Sequence, residues 1–496
     1  MNAGSWLSRS ADRVRLSVMP PDAAATLQPL RSALVAQAQG TAAAPKAEAA
    51  SRTIRERLQA TLRQQPEALS PRALRRTLAD LQAIIDPHVS EVEGGRRAQV
   101  MATWYAAATP EERRDFWLLM SEQFVADQQA AKAAQAKYAA AVGTADEAVA
   151  EVRLRRATVS PRRRLLQRFS VFPDGIRFLV DLRAEMLPHL KADKRLQALD
   201  VEMEYMFSTW FDVAFLDLRR ISWDSPASLI EKLIKYEAVH DIRSWDDVKN
   251  RLDSDRRCYG FFHPRLPGEP LIFVEVALMD AIAGSITPLL DETAAPADLE
   301  KATTAIFYSI SNTQHGLRGV SFGDSLIKRV VETLKDEFPR LKIFVTLSPI
   351  PGLRSWLQKH AGAMLEQAGE KSRAKLARTA GVRELTPEAL LAALEKPLAL
   401  EAKSPLRAFL LACAACYLGR EQQQGKPADP VARFHLGNGA RIERLNWGGD
   451  PSVKGIKQSY GLMVNYLYDL RRLDKHRAQV AQGKIPVSGA IEELYF

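Results

Sequence analysis

The sequence predicts an α+β protein in which an all-helical N-terminal domain precedes a mixed α/β domain carrying a helical insertion. Three observations carry that prediction. From residue 51 to about residue 205 apolar side chains recur three and four apart, the period of amphipathic helices. Beyond Trp210 come apolar runs rich in β-branched and aromatic residues, CYGFFH, PLIFVEVAL, AIFYSIS and LKIFVTLS, with turn residues or helical patterns between them. Between about residues 353 and 425 the helical period returns, in TPEALLAALEKPLAL and SPLRAFLLACAACYL, before strand-like ARFHLGNGARIERLNW closes the domain.

Each part follows from local composition. Residues 22–50 are dominated by Ala with Gln, Gly and Pro and lack an apolar stripe, so 1–50 is read as a flexible arm. The helical domain, 51–205, has start signals at Ser70-Pro71 and Ser160-Pro161, where serine caps free N–H groups and proline suits the first turn. The sheet domain then spans 206–496. A chain of 496 residues is ample for two cores.

Composition narrows the function classes. No stretch approaches the roughly 20 apolar residues of a membrane span, and LRAFLLACAACYL ends in charge, so no membrane partner is expected. Three cysteines cannot build a disulfide framework, which favours a reducing compartment and a cytoplasmic location. The N-terminal segment has no apolar core like a secretory signal, and ELYF is not a peroxisomal address. Cys413 and Cys416 have CxxC spacing but lie in an apolar helix without a second ligand pair, so packing and no metal site is the reading. The net charge of +10 is spread among interleaved acids and bases, which argues against nucleic acid. The run VRLRRATVSPRRRLLQR reads as a solvated or subunit-facing helix surface.

The segment AIFYSISNTQHGLRGVSFGDSLIKRVVETLKDEF runs from an apolar strand through a polar turn into a helix starting near Gly323. Arg318, Gly319 and Gly323 sit where backbone N–H groups and the positive end of a helix dipole converge, a geometry that holds anions. On the residues alone, an ordinary strand-to-helix connection is the commoner use of such a turn. The string RGVSFGDSLI resembles the acyl-CoA pyrophosphate loop of the GCN5-related N-acetyltransferase (GNAT) superfamily, R-G-x-G-x-G/A-x-x-L, at Arg318, Gly319, Gly323 and Leu326. It departs at Ser321, which keeps its backbone N–H. This resemblance implies that Arg318, Gly319, Val320, Ser321, Phe322, Gly323 and Asp324 hold the pyrophosphate of coenzyme A.

Longer blocks resemble one family specifically. RRCYGFFHPRLPGEPLIFVEVAL, the loop just described, FPRLKIFVTLSPIPGLRSWL and PVARFHLGNGARIERLNWGGDPSVKGIKQSYGLMVNYLY look like the malonyl-CoA decarboxylase family, over about residues 160–470. The resemblance implies a GNAT-like catalytic domain, Ser348 and His435 as the catalytic pair, and Tyr468 close to them. It implies malonyl-CoA as substrate, acetyl-CoA as product and a homotetramer built as a dimer of dimers. Without it, Ser348 before Pro349 would be a turn residue and His435 a core or surface histidine.

The chemistry suits those groups. Breaking the C–C bond of malonyl-CoA pushes two electrons into the thioester, which is itself the electron sink, so no metal or organic cofactor is expected. Ser348 and His435 can hydrogen-bond the carboxylate or the thioester, and His435 can protonate the carbanion. There is no G-x-S-x-G elbow, and Pro349 removes the backbone N–H that an elbow offers an oxyanion, so no covalent intermediate is expected. Two alternatives predict other behaviour: a GNAT-type acyl-CoA transferase would act only with an acceptor, and a CoA-sensing protein would be catalytically silent.

Overall fold

The computed structural model describes residues 52–64, 67–320 and 326–496. The arm expected over 1–50 lies outside them. The chain divides into two units, Met1–Glu56 and Arg57–Phe496; the helices from Pro71 onward and every strand among the described residues belong to the second.

Eight helices follow one another from Pro71: α1 Pro71–Ile84, α2 Glu91–Ala107, α3 Pro110–Glu122, α4 Gln128–Ala141, α5 Glu147–Thr158, α6 Pro161–Phe169, α7 Gly175–Met186 and α8 Gln197–Trp210. The expected caps are present: Ser70 Oγ accepts from Ala73 N–H and Ser160 Oγ from Arg162 N–H. Thr109 and Glu112 add a reciprocal capping box on α3. Fully buried Leu74, Phe116, Leu119, Phe169, Leu179 and Leu199 form the core, where Phe169 stacks on Phe178 with centroids 5.2 Å apart. Each such side chain contributes roughly 1.5–3 kcal/mol of transfer free energy.

The sheet begins with β1 Asp217–Ile221, β2 Arg256–Phe262, β3 Pro270–Met279 and β4 Thr304–Asn312, all antiparallel neighbours. β5 Ile343–Thr346 then pairs parallel to β4. Short β6 Ser348–Pro349, the small hairpin β7 Gln422–Gln423 with β8 Lys426–Pro427, and β9 Arg441–Asn446 precede β10 Met463–Leu467, which pairs antiparallel with β5, β6 and β9. All of β2 is buried because both sheet faces are covered. Helices α9 Ala227–Tyr236 and α10 Trp245–Arg251 pack Ile230, Leu233 and Val248 onto Cys258 and Phe273. On the other face α11 Leu326–Glu337 brings Glu337 to Arg257 and Arg329 over the Phe261 ring.

Two irregularities open the middle of the sheet. The β3–β4 register shifts between Glu275 and Val276, which face Ser309 and Phe307, so Tyr308 is an extra residue. The parallel pairing of β4 with β5 ends at Phe307↔Thr346, and the next bond across it runs from Leu347 N–H to Phe307 O. Beyond that point no strand among the described residues pairs with Tyr308–Asn312 on this side.

The helical insertion is present between β6 and β9: α12 Leu353–Gln367, α13 Gly369–Ala380, α14 Pro387–Ala393, α15 Pro405–Gly419 and α16 Pro430–Gly437. Cys413 and Cys416 are buried in α15 as free thiols. One expectation fails here. The segment around His435 is not a strand but helix α16, and the strand starts only at Arg441. Asp429 is the cause: its Oδ1 accepts from Val431 N–H and Ala432 N–H, both at 2.9 Å, with Pro430 in the first turn.

Candidate active site

The local strand geometry sets one face of the site. Thr346 and Ser348 stand two residues apart along an extended segment and project to the same side. Val464 lies opposite Ser348, so Tyr466 and Tyr468 share that side, and Tyr468 N–H is held by Phe344 O at 2.9 Å. The last turn of α16 brings His435 onto these groups.

The contacts form one cluster. Ser348 O–H donates to Thr346 Oγ1 at 2.8 Å, and Ser348 Oγ lies 3.2 Å from His435 Nε2. His435 Nδ1 lies 2.7 Å from Tyr468 Oη. The Tyr466 ring stacks on the imidazole, centroids 4.7 Å apart at 25°. Ser348, His435 and Tyr468 are 5%, 3% and 3% exposed. Ser348, His435 and Tyr468 are thus brought together as the sequence led one to expect. Thr346 and Tyr466 were missed, although the period-two spacing in TLS and YLY aligns them with their neighbours.

Burial sets the charge state. It lowers the His435 pKa from 6.5 to about 3, so the imidazole is neutral near pH 7, and it pushes the Tyr466 and Tyr468 phenols far up. The cluster is uncharged. The unfolded chain therefore binds a proton at this histidine between pH 6.5 and about 3 that the native state does not, and stability falls as pH drops through that window. From pH 7 to 5 this one group costs about 2 kcal/mol. His435→Gln is expected to flatten the pH dependence of the unfolding free energy, read from urea titrations, by that amount relative to wild type; parallel profiles for the two proteins would contradict a neutral buried imidazole.

The other expected site residues lie past the far end of β4. There the chain passes through a tight turn, His315–Leu317, to Arg318. Helix α7 braces this turn: Arg183 donates to Gly316 O at 2.8 Å and Arg318 O at 2.9 Å, and Arg177 to Gln314 Oε1 at 2.7 Å. Gly316 sits so close to the backbone that an added Cβ would stand 1.8 Å from Val180 O. Gly319 has φ +82°, Val320 is buried, and the Arg318 side chain is exposed with no partner among the described residues. Ser321, Phe322, Gly323 and Asp324 lie outside the described residues. Arg329 is committed to Val213 O and Leu216 O, so it braces α11 against the chain before β1.

Family models, curated relatives and solved structures resemble this chain. The family model described as malonyl-CoA decarboxylase C-terminal domain matches residues 214–495, and that described as malonyl-CoA decarboxylase N-terminal domain matches 124–211. The mitochondrial malonyl-CoA decarboxylase of Anser anser anser is 39% identical over 334 residues, 65% of this chain and 66% of that protein. That of Rattus norvegicus is 39% identical over 338 residues, 65% of this chain and 68% of that protein. The match thus spans about two thirds of these relatives. Crystal structures of malonyl-CoA decarboxylases from Rhodopseudomonas palustris and Cupriavidus metallidurans superpose with TM-scores of 0.73 and 0.70 at 40% and 43% identity. Each covers 85% of this chain, and 99% and 100% of the respective structure. Family models over both halves, and solved structures that share the fold at this identity, lead to one conclusion: the chain belongs to the malonyl-CoA decarboxylase family.

Proposed function

We propose that the protein decarboxylates malonyl-CoA to acetyl-CoA and CO2. The observation that carries this reading is the buried, uncharged cluster of Ser348, His435 and Tyr468 beside the place where β4 and β5 part. The Phe307 ring of β4 lies 6.4 Å from that of Tyr468, so the cluster adjoins the opening. From Phe307 to Asn312 the strand rises roughly 17 Å at 3.3–3.4 Å per residue. The pantetheine arm runs along this unpaired edge, with the pyrophosphate at the loop from Arg318 to Asp324 and the malonyl group at Ser348. An uncharged cluster disfavours a carboxylate relative to neutral CO2. Ser348 and His435 hold the malonyl group, and His435 protonates the α-carbon. The thioester enolate is a stronger base than imidazolate, so a neutral imidazole can donate its proton.

The helical region is the surface through which we assign a homotetramer, a dimer of dimers. Supporting this, no residue of α4 is buried, and Val142, Val149, Val152 and Val159 are each more than 40% exposed. No helix among the described residues is long and apolar enough to cross a membrane, and a cytoplasmic location accords with the three reduced cysteines.

The test is CO2 and acetyl-CoA release from purified protein given malonyl-CoA with neither acceptor nor added metal. Equimolar release is the expected result. A protein that binds CoA but acts only when an amine acceptor is supplied would be a transferase, and this reading would be abandoned.

A further inference from the structure

The hydrogen bonds around Ser348 determine where each proton of the cluster resides. Thr346 is fully buried, and its Oγ1 accepts from both Tyr466 N–H at 3.1 Å and Ser348 O–H at 2.8 Å. A serine hydroxyl has one proton to give. With that proton on Thr346, Ser348 Oγ meets His435 Nε2 at 3.2 Å as an acceptor, so Nε2 carries the ring hydrogen. A neutral imidazole then has a bare Nδ1, to which Tyr468 O–H donates across 2.7 Å. The donors therefore run in one direction, from Tyr468 through His435 and Ser348 to Thr346. Thr346 donates to nothing among the described residues; its hydroxyl works here as an acceptor.

The backbone of Thr346 is held as firmly as its side chain. Asn465 Nδ2 donates to Thr346 O at 2.7 Å, and Asn446 Nδ2 to Asn465 Oδ1 at 2.8 Å. Arg444 Nε reaches both asparagine side chains, at 2.9 and 3.3 Å. The acceptor at the end of the chain is thus anchored from the opposite sheet face.

We propose that Thr346 is a positioning residue for the decarboxylation: by taking the Ser348 proton it holds His435 as the Nε2–H tautomer and prevents His435 from activating Ser348 as a nucleophile. This rests on the decarboxylase reading for its kinetic consequence but not for its structural one. An Nε2 that already carries hydrogen cannot accept the Ser348 proton, so His435 acts as the donor and Ser348 as an acceptor. When the α-carbon takes the Nε2 proton, Nδ1 takes the Tyr468 proton; as product leaves, a solvent proton enters at Nε2 and Nδ1 returns its proton to the tyrosinate, which restores the Nε2–H ring.

The test uses 15N spectra of protein with labelled histidine rings, the His435 signals being those lost in His435→Gln. In the wild type, Nε2 is expected to be protonated and Nδ1 bare. Thr346→Val keeps the shape but frees the Ser348 proton to turn onto Nε2; the ring is then expected to shift to the Nδ1–H tautomer, and kcat to fall at least about tenfold with KM changed by less than about threefold. Thr346→Ser restores both. A wild-type ring protonated at Nδ1 overturns the proposal without any variant having to fold. So does a Val variant that keeps the wild-type tautomer or the wild-type kcat, or a Ser variant no better than Val. A wild type that binds malonyl-CoA yet releases no CO2 sinks the decarboxylase reading instead, while the ring spectrum still decides the role of Thr346.

Discussion

Alanine at Ser348 or at His435 is expected to slow CO2 release from malonyl-CoA by roughly 10²–10⁴-fold, about 2.7–5.4 kcal/mol of transition-state stabilisation. The two losses are not expected to add. Ser348 Oγ and His435 Nε2 are 3.2 Å apart within one hydrogen-bonded chain, so removing either breaks the same unit. The double variant should be about as slow as the slower single one. KM should change less than kcat, because the loop assigned to the CoA pyrophosphate begins past the far end of β4 and is braced separately, by Arg183 and Arg177 of α7. Initial rates of CO2 release, with CoA binding by calorimetry to confirm a folded site, check all three statements. Losses that multiply in the double variant would mean that Ser348 and His435 act independently.

The chain displays much of this in its own order, and the exceptions have physical reasons. The caps at Ser70 and Ser160 and the strands β2 to β5 were legible because they depend on residues adjacent in sequence. The helix under His435 was misread because FHLGNG has strand-like texture, whereas the deciding signal was Asp429-Pro430 several residues earlier. Nothing local marks Gly316, whose lack of a side chain is required by Val180 O from a helix far earlier in the chain. Thr346 is of the same kind: its partner Tyr466 comes from another element, and only the register of β10 against β5 and β6 brings the two together. Ser348, His435 and Tyr468 were reachable through family resemblance, not through spacing.

Beneath α9 and α10 the sheet buries an ion pair that no spacing revealed, and its disruption should give the largest stability change. Arg251 is fully buried, with Nε on Asp247 Oδ1 at 2.7 Å, Nη1 on Glu275 Oε2 at 2.9 Å and Nη2 on His240 O at 2.9 Å. Burial by itself would lower the Arg251 pKa, but Glu275 and Asp247 outweigh it and hold the guanidinium charged. Burial, with Glu237 adding to it, raises the Glu275 carboxyl from 4.5 to about 7 despite Arg251. Arg251→Met is expected to cost roughly 3–5 kcal/mol, because it leaves carboxylates buried without their cation.

The sign with pH follows from Glu275. Its folded pKa lies above its unfolded one, so the native state binds the extra proton, and stability from this group is lost as pH rises from 4.5 through about 7. Without Arg251 that pKa climbs further, so the loss extends to higher pH. The urea midpoint of Arg251→Met should therefore fall more steeply than wild type between pH 6 and 8.5, and adding Glu275→Gln should recover most of the difference by removing the unpaired charge. If the double variant equals or exceeds wild type in stability, the pair contributes orientation of α10 on β3 rather than net free energy, as buried ion pairs often do. A single variant that loses nothing at pH 8 would show that water reaches Glu275, contrary to its complete burial.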